Sequence, residues 1–264
     1  MTSTILLTGG TGTLGRHVLP LLRDAGAKVR VLSRGDHASA DGVEYVAGDL
    51  ALGTGVEAAV DGAETILHLA GSAKGDDEKT RHLVRAAVRG GGAPHLVFIS
   101  VVGADRIPVV SAVDRGAFGY FAFKRAAERI VEESGLPWTI LRATQFHDLV
   151  FTVAQQMAKL PVMPVPAVRY QPVDAGEVAE RLVELALGEP AGLVPDIGGP
   201  RVYPLPELMR GYLRATGRHR LIMPMRAPGK AFRAVREGAN LAPDRAVGRR
   251  TWEEYLAERV RADR

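Results

Sequence analysis

Tyr120 and Lys124 stand four residues apart in Tyr120-Phe121-Ala122-Phe123-Lys124. On a helix that spacing puts a phenol and an ammonium on one face, a turn apart. A cation there favours phenolate over phenol, so the pair suits proton transfer with Tyr120 as the donor, and the lysine can also hold a ribose hydroxyl. Phe118, Phe121 and Phe123 support a second reading, in which Tyr120 joins an aromatic core patch and Lys124 snorkels. Ser100 closes the apolar run Leu96–Ser100. Its hydroxyl could orient a substrate carbonyl, although a serine at a strand end is also a common turn former.

A second constellation lies near the amino end. The run Thr4–Thr8 leads into Gly9-Gly10-Thr11-Gly12-Thr13-Leu14-Gly15 and then into a helical pattern. Strand, G-x-G-x-x-G and helix in that order are what a dinucleotide pyrophosphate requires. In this reading Gly10 makes the sharp turn, Gly12 lets backbone approach the phosphates and Gly15 lets the helix pack on the strand. Gly9, Thr11, Gly12, Thr13, Leu14 and Gly15 are therefore the expected pyrophosphate cradle, helped by the free N–H groups and dipole of the helix start.

The second strand should end about 20 residues after such a loop, where a carboxylate selects a ribose diol and an arginine a 2′-phosphate. Ser33-Arg34 stands there, which favours NADPH over NADH, with NADH as the alternative. Asp36 could turn back toward a ribose diol, and Arg34 could be a solvated loop residue. Asp49 and Leu50, in Gly48-Asp49-Leu50, would lie along an adenine, with Asp49 either accepting from its amine or capping a helix. Leu69-Ala70-Gly71 offers small residues where a cofactor would pass the sheet edge, or a plain turn.

These residues need a scaffold, and the periodicity supplies one. Short apolar, β-branched runs alternate with longer amphipathic ones, as in stacked βαβ units. Strands are expected at Thr4–Thr8, Lys28–Ser33, Glu44–Ala47, Thr65–Leu69, Leu96–Ser100 and Trp138–Leu141. Helices are expected at Gly12–Ala25, ended by Gly26, and at Gly116–Glu133. After Leu141 the pattern loosens through Pro161, Pro164 and Pro166, then resumes with a helix at Asp174–Leu187, continues through Pro204–Thr216 and ends with a helix at Thr251–Val260, opened by a Thr251/Glu254 capping box. The fold class is α/β: a Rossmann-type, doubly wound parallel sheet over residues 1–150, with a smaller C-terminal substrate-binding lobe over 151–264 that partly re-enters the sheet near 168–187.

With 264 residues, 46% hydrophobic and 24% charged, the chain can bury a substantial core, so disorder is excluded. Its 34 basic and 30 acidic residues leave a charge of +4 with no basic stripe, and aromatics are 6%, which argues against nucleic acid and weakly for an anionic ligand. The absence of cysteine removes thiol nucleophiles and thiolate metal sites and fits a reducing, cytoplasmic compartment. The seven histidines show no metal spacing, so no metal is expected. Ile5-Leu6-Leu7 meets Gly9-Gly10 at once, leaving no room for a secretory leader, and no long uncharged apolar run exists, so no membrane association is expected.

Taken together these motifs resemble the short-chain dehydrogenase/reductase superfamily, in particular its atypical NmrA-like branch of NAD(P)-binding proteins, over nearly the whole chain. The loop Thr8–Gly15, the segment Ile99-Ser100-Val101-Val102-Gly103, the Tyr120/Lys124 pair, the strand Leu136–Arg142 and the stretch from Gln171-Pro172-Val173-Asp174 to Val178-Ala179 carry the likeness. Leu69 stands where typical members have asparagine. The resemblance implies Tyr120 as acid/base, Lys124 as its partner and ribose ligand, Ser100 as carbonyl orienter, and nicotinamide near Ala143-Thr144. It places Gln145, Phe146 and His147 at the substrate, in a pocket between sheet edge and second lobe walled by Phe146, Phe151 and Met157–Val165. The expected activity is NADPH-dependent reduction of a carbonyl, quinone or similar small molecule. A nucleotide-sensing regulator, which would need a protein partner, and an epimerase or isomerase are the alternatives.

Overall fold

The computed structural model describes residues 3–262 except 36, 40, 41 and 73, so Asp36 lies outside the described residues. In chain order the elements are β1 (Thr4–Thr8), α1 (Gly15–Asp24), β2 (Lys28–Ser33), β3 (Val43–Ala47), α2 (Val56–Val60), β4 (Thr65–His68) and α3 (Asp76–Arg89). They continue with β5 (His95–Val101), α4 (Ala112–Glu132), β6 (Trp138–Ala143), α5 (His147–Met157), β7 (Val162–Pro166), β8 (Arg169–Tyr170), α6 (Ala175–Leu187) and β9 (Gly192–Leu193). The last are β10 (Tyr203–Pro204), α7 (Leu205–Ala215), β11 (Leu221–Met225), α8 (Lys230–Glu237) and α9 (Trp252–Ala262). Among the described residues no helix is long and apolar enough to cross a membrane.

The chain forms two compact units. The first comprises residues 1–100, 119–142 and 176–195, and the second 101–118, 143–175 and 196–264. The units thus interleave along the chain, where the composition suggests one boundary near 150.

Unit 1 is built on a seven-stranded sheet in the order β3-β2-β1-β4-β5-β6-β9. The pairs of β1 with β2 and with β4 are parallel, Leu7 facing Val31 on one side and Leu67 on the other. Strand order reverses at β1, the switch point where ligands bind in doubly wound folds. The central strands read as unbroken apolar runs because both faces are covered: Leu6, Ile66, Leu96 and Ile140 are fully buried, packed with Leu83, Ala127 and Val131 of the helices. The chain returns to the sheet through α6, and its last strand is β9, beyond the 168–187 stretch expected to re-enter.

The helix expected from Gly12 starts only at Gly15, because residues 10–14 form a turn closed by Gly12 N–H donating to Gly9 O at 3.0 Å. Gly9, not Gly10, makes the sharp turn, with φ +74°. Gly15 holds the closest approach, since a Cβ there would stand 2.2 Å from Gly9 O and 2.5 Å from Gly10 Cα. At the other end Gly26 adopts φ +76° and its N–H bonds Arg23 O at 2.8 Å, the glycine stop expected from the sequence.

Unit 2 holds most of the differences from the sequence pattern. The proline-rich stretch expected to be loose forms β7, paired in parallel with β11. In a two-stranded sheet each strand keeps an open edge, where Pro164 and Pro166 need donate nothing. Helix α4 begins at Ala112 instead of Gly116 because Ser111 and Asp114 cap it reciprocally, Ser111 N–H to Asp114 Oδ2 at 3.1 Å and Asp114 N–H to Ser111 Oγ at 3.0 Å. The Thr251/Glu254 box forms as expected, with Thr251 N–H donating to Glu254 Oε2 at 2.8 Å.

Gly15→Ala should lower the free energy of unfolding by roughly 1–3 kcal/mol through overpacking. Gly116→Ala, with nothing within 4 Å of the added Cβ, should be neutral or stabilising in the same urea titration.

Candidate functional site

The carboxyl ends of β1, β2 and β4 open onto a groove of about 500 Å³ in unit 1. Gly9, Thr11 and Gly12 form one wall, Ser33, Arg34, Gly35 and His37 another, and Gly48, Asp49, Leu50 and Ala51 a third. Ala70, Gly71, Ser72 and Lys79 complete it. Seven expected positions outside the glycine loop therefore converge: Ser33, Arg34, Asp49, Leu50, Ala70, Gly71 and, through Gly71, Lys124. Thr13 is exposed in the loop, Leu14 and Gly15 are buried behind it, and Leu69 is half-buried at the strand end. No side chain caps the N-terminus of α1. Although the Arg16 and His17 N–H groups bond Gly12 O and Leu14 O, the positive end of the helix dipole and the cations Arg34 and Lys79 suit an anionic ligand. Asp49 lines the groove but also holds its own turn, with Oδ1 accepting from Ala51 N–H at 2.8 Å.

Behind Gly71 lies a buried ion pair. Lys124 Nζ stands 3.1 Å from Asp76 Oδ2, with both side chains at most 4% exposed, and donates to Ile99 O at 3.0 Å. A Cβ on Gly71 would come within 3.2 Å of Lys124 Nζ and 3.3 Å of Asp76 Oδ2, a tight contact, so Gly71 is where groove and pair lie nearest. The Lys124 ammonium also lies 5.8 Å from the centroid of the half-buried Tyr120 ring and 4.8 Å from that of Phe98. Ser100, next to the carbonyl that Lys124 binds, keeps its Oγ buried with no hydrogen-bond partner among the described residues. Such an orphan is costly unless something supplies a partner. Glu128 secures this part of α4: fully buried, it accepts from Arg142 Nε at 2.7 Å and Nη2 at 2.8 Å, and from Arg125 at 2.9 Å.

Sequence reasoning missed Asp76. Asp76-Asp77-Glu78 reads as the ordinary acidic first turn of a helix, so nothing marks one of the three as buried. It also missed His68 and Thr8, which face each other across β1 and β4. Thr80 Oγ donates to Asp76 O at 2.7 Å, so it accepts from His68 Nε2–H at 3.1 Å. Nδ1 is then the acceptor for the Thr8 hydroxyl at 2.7 Å, and Thr8 Oγ accepts from Ala70 N–H at 3.3 Å. This one-way chain ties the groove wall to the helix that carries Asp76 and keeps His68 neutral. Burial, reinforced by the Lys124 charge, pushes the imidazole down to about 3.

Ala143, Thr144, Gln145, Phe146 and His147 belong to unit 2, where the Thr144 and Gln145 side chains are hydrogen-bonded while neither ring nitrogen of His147 has a partner among the described residues. Thr144 Oγ donates to Gln171 O at 2.5 Å. Gln145 donates to Asn240 O at 3.1 Å and accepts from Gln171 N–H at 3.0 Å. His147 is fully buried, stacked on Tyr255 at 5.0 Å and Trp252 at 6.0 Å, and burial pushes it down to about 4. Phe146, half-buried, bridges to Val173 and precedes α5. Phe151, Met163 and Val165, expected as pocket walls, are core residues, with Phe151 edge-on to Tyr212.

Because His68 is neutral when folded and charges near 6.5 when unfolded, its contribution is complete above that pH and is lost as pH falls toward 3. His68→Gln should therefore flatten the acid limb of stability against pH by about 1.4 kcal/mol per pH unit, one proton's worth. Urea unfolding between pH 4 and 7 measures it, and an unchanged slope would mean His68 is charged in the folded protein.

A family model described as NAD(P)H-binding matches residues 9–187. The chain is 32% identical over 146 residues to a (4-alkanoyl-5-oxo-2,5-dihydrofuran-3-yl)methyl phosphate reductase of Streptomyces griseus, covering 54% of this chain and 48% of the relative. It is 30% identical over 243 residues to a ceramide reductase of Caulobacter vibrioides, covering 85% and 74%. The chain thus spans about half the length of the first relative. An NADPH-dependent quinone oxidoreductase of Escherichia coli, solved with NADPH, shares the fold with a TM-score of 0.78 at 16% identity, over 96% of this chain and 99% of that one. The residues lining the groove fit the ligand that the family model names: a glycine-walled channel at a strand-order reversal, an uncapped helix start and two cations. The cofactor is NAD(P)H, and the chain belongs to the NAD(P)H-binding family.

Proposed function

We propose that the protein is an NADPH-dependent oxidoreductase that reduces a carbonyl, quinone or similar small-molecule acceptor. The observation that carries this reading is the contact through Gly71 between the groove and the buried Lys124–Asp76 pair, which puts a fixed ammonium beside the ligand channel. The reductase names of both curated relatives support the reaction class.

In this reading Gly9, Thr11, Gly12 and the α1 N-terminus hold the pyrophosphate, Asp49 and Leu50 flank the adenine, and Ser33 and Arg34 hold the 2′-phosphate. When bound, the cofactor supplies a hydride to the acceptor. Negative charge then gathers on the acceptor oxygen, and Tyr120 Oη delivers a proton to it. Lys124 stabilises the phenolate left behind and hydrogen-bonds the ribose, while Asp76 and Ile99 O keep its ammonium in one position. Ser100 Oγ, without a partner of its own, donates to the acceptor oxygen and orients it.

Incubation with NADPH and a panel of carbonyls and quinones, followed by nicotinamide absorbance, tests this. Wild type should oxidise NADPH with at least one acceptor, and Tyr120→Phe should lose about 10²–10⁴-fold in kcat while still binding NADPH. Binding with no oxidation of any acceptor would favour a nucleotide-sensing regulator. Arg34→Ala should weaken NADPH by roughly 1.5–3 kcal/mol and leave NADH nearly unchanged. Equal loss for both nucleotides would remove Arg34 from the 2′-phosphate.

A further inference from the structure

Unit 2 carries an apolar surface that no element of the nucleotide groove uses. The parallel register of β7 and β11 sets Leu221 opposite Val162, Met223 opposite Pro164 and Met225 opposite Pro166. Residues two apart share a face, so these six side chains form one strip. It faces solvent: Leu221 is 68% exposed, Met223 47%, Met225 40% and Val162 36%. The opposite face is buried at Met163 and Val165 of β7, with Ile222 half-buried and Pro224 exposed beside them. A contiguous apolar strip of this kind marks a surface for another apolar body.

Both ends of the strip are basic. At the start of the strands lies an open cleft lined by Lys159, Arg210, Arg214, Arg218, His219 and Arg220 together with Leu221. At their far end a second cleft is lined by Arg226 and Arg236 beside Ala167. Among the described residues no aspartate or glutamate lines either one. Two of the guanidinium groups bond backbone carbonyls, Arg220 to Ala158 O at 3.0 Å and Arg236 to Ala227 O at 2.9 Å, one holding its charge in place at each cleft.

We infer that this face docks peripherally on an anionic bilayer surface. The strip inserts among the acyl chains near the headgroups, and the two basic clefts bind acidic lipid phosphates. A second copy of the chain fits poorly, because self-pairing across the strip in either direction brings one arginine-lined cleft onto another. The expectation of no membrane association rests on the absence of a spanning run of about 18 apolar residues, a criterion that a two-residue alternation on a short sheet never meets.

Sedimentation with large vesicles of phosphatidylcholine, with and without phosphatidylglycerol, tests the inference. Wild type should pellet with the anionic vesicles only and be released by molar salt. Arg214→Glu with Arg218→Glu, and separately Met223→Glu, should each weaken binding about tenfold or more. All these sites are on the surface, and unchanged thermal unfolding shows that each variant is folded. Wild type left in the supernatant with anionic vesicles would overturn the inference, as would variants that bind like wild type. A dimer in light scattering that Met223→Glu dissolves would assign the face to a second copy and overturn it equally. Inorganic phosphate displacing the protein from vesicles no better than chloride at equal ionic strength is the expected result. Selective displacement by phosphate would reassign the clefts to a free anion.

Discussion

An ammonium in an apolar interior survives only where its charge is balanced, and in unit 1 that balance is local. Asp76 Oδ2 and the Ile99 carbonyl sit at 3.1 and 3.0 Å from Lys124 Nζ, in surroundings almost closed to water. Removing one member of such a pair leaves the other stranded, which is why broken buried pairs cost far more than exposed ones. The pair also joins three elements, since α3 brings Asp76, α4 brings Lys124 and β5 brings the carbonyl. Anything that holds these elements therefore also holds the charge beside the groove.

Two further polar clusters do this holding. Glu128 fixes α4 to β6 through Arg142, and the Thr8–His68–Thr80 chain fixes β1 and β4 to α3. Each is buried and directional, so it admits one arrangement of its strands and helices where apolar packing alone would tolerate several. The glycine loop depends on the same sheet. Gly15 can pass within touching distance of the Gly9 carbonyl only while β1 and α1 keep their spacing.

The sheet and its order along the first 142 residues are legible from periodicity, because parallel strands covered on both faces leave unmistakable apolar runs. The glycine loop is legible too, except that the residue with positive φ is Gly9 and not Gly10: the motif spacing picks out Gly10, Gly12 and Gly15, and the turn falls on the glycine just before them. Strand β7 is hidden because two prolines argue against a strand, and only its pairing with β11, far along the chain, overrides them. Asp76, His68 and Thr8 are hidden for a different reason. Each is unremarkable in its own segment, and the network exists only once β1, β4 and α3 meet. Gln145 shows the converse, since a place beside an expected nicotinamide suggests chemistry while both ends of its amide are hydrogen-bonded inside unit 2.

The interleaving of the units bears on how the chain is made. It passes from one unit to the other five times, and the sheet of unit 1 gains β6 and β9 only from residues 138–143 and 192–193. During synthesis the first hundred residues emerge with β5 still lacking its outer neighbour, an open edge of backbone donors and acceptors. Neither unit is a continuous fragment: the sheet of unit 1 is complete only once residues 192–193 have been made, and a premature stop after residue 142 would leave it missing its final strand.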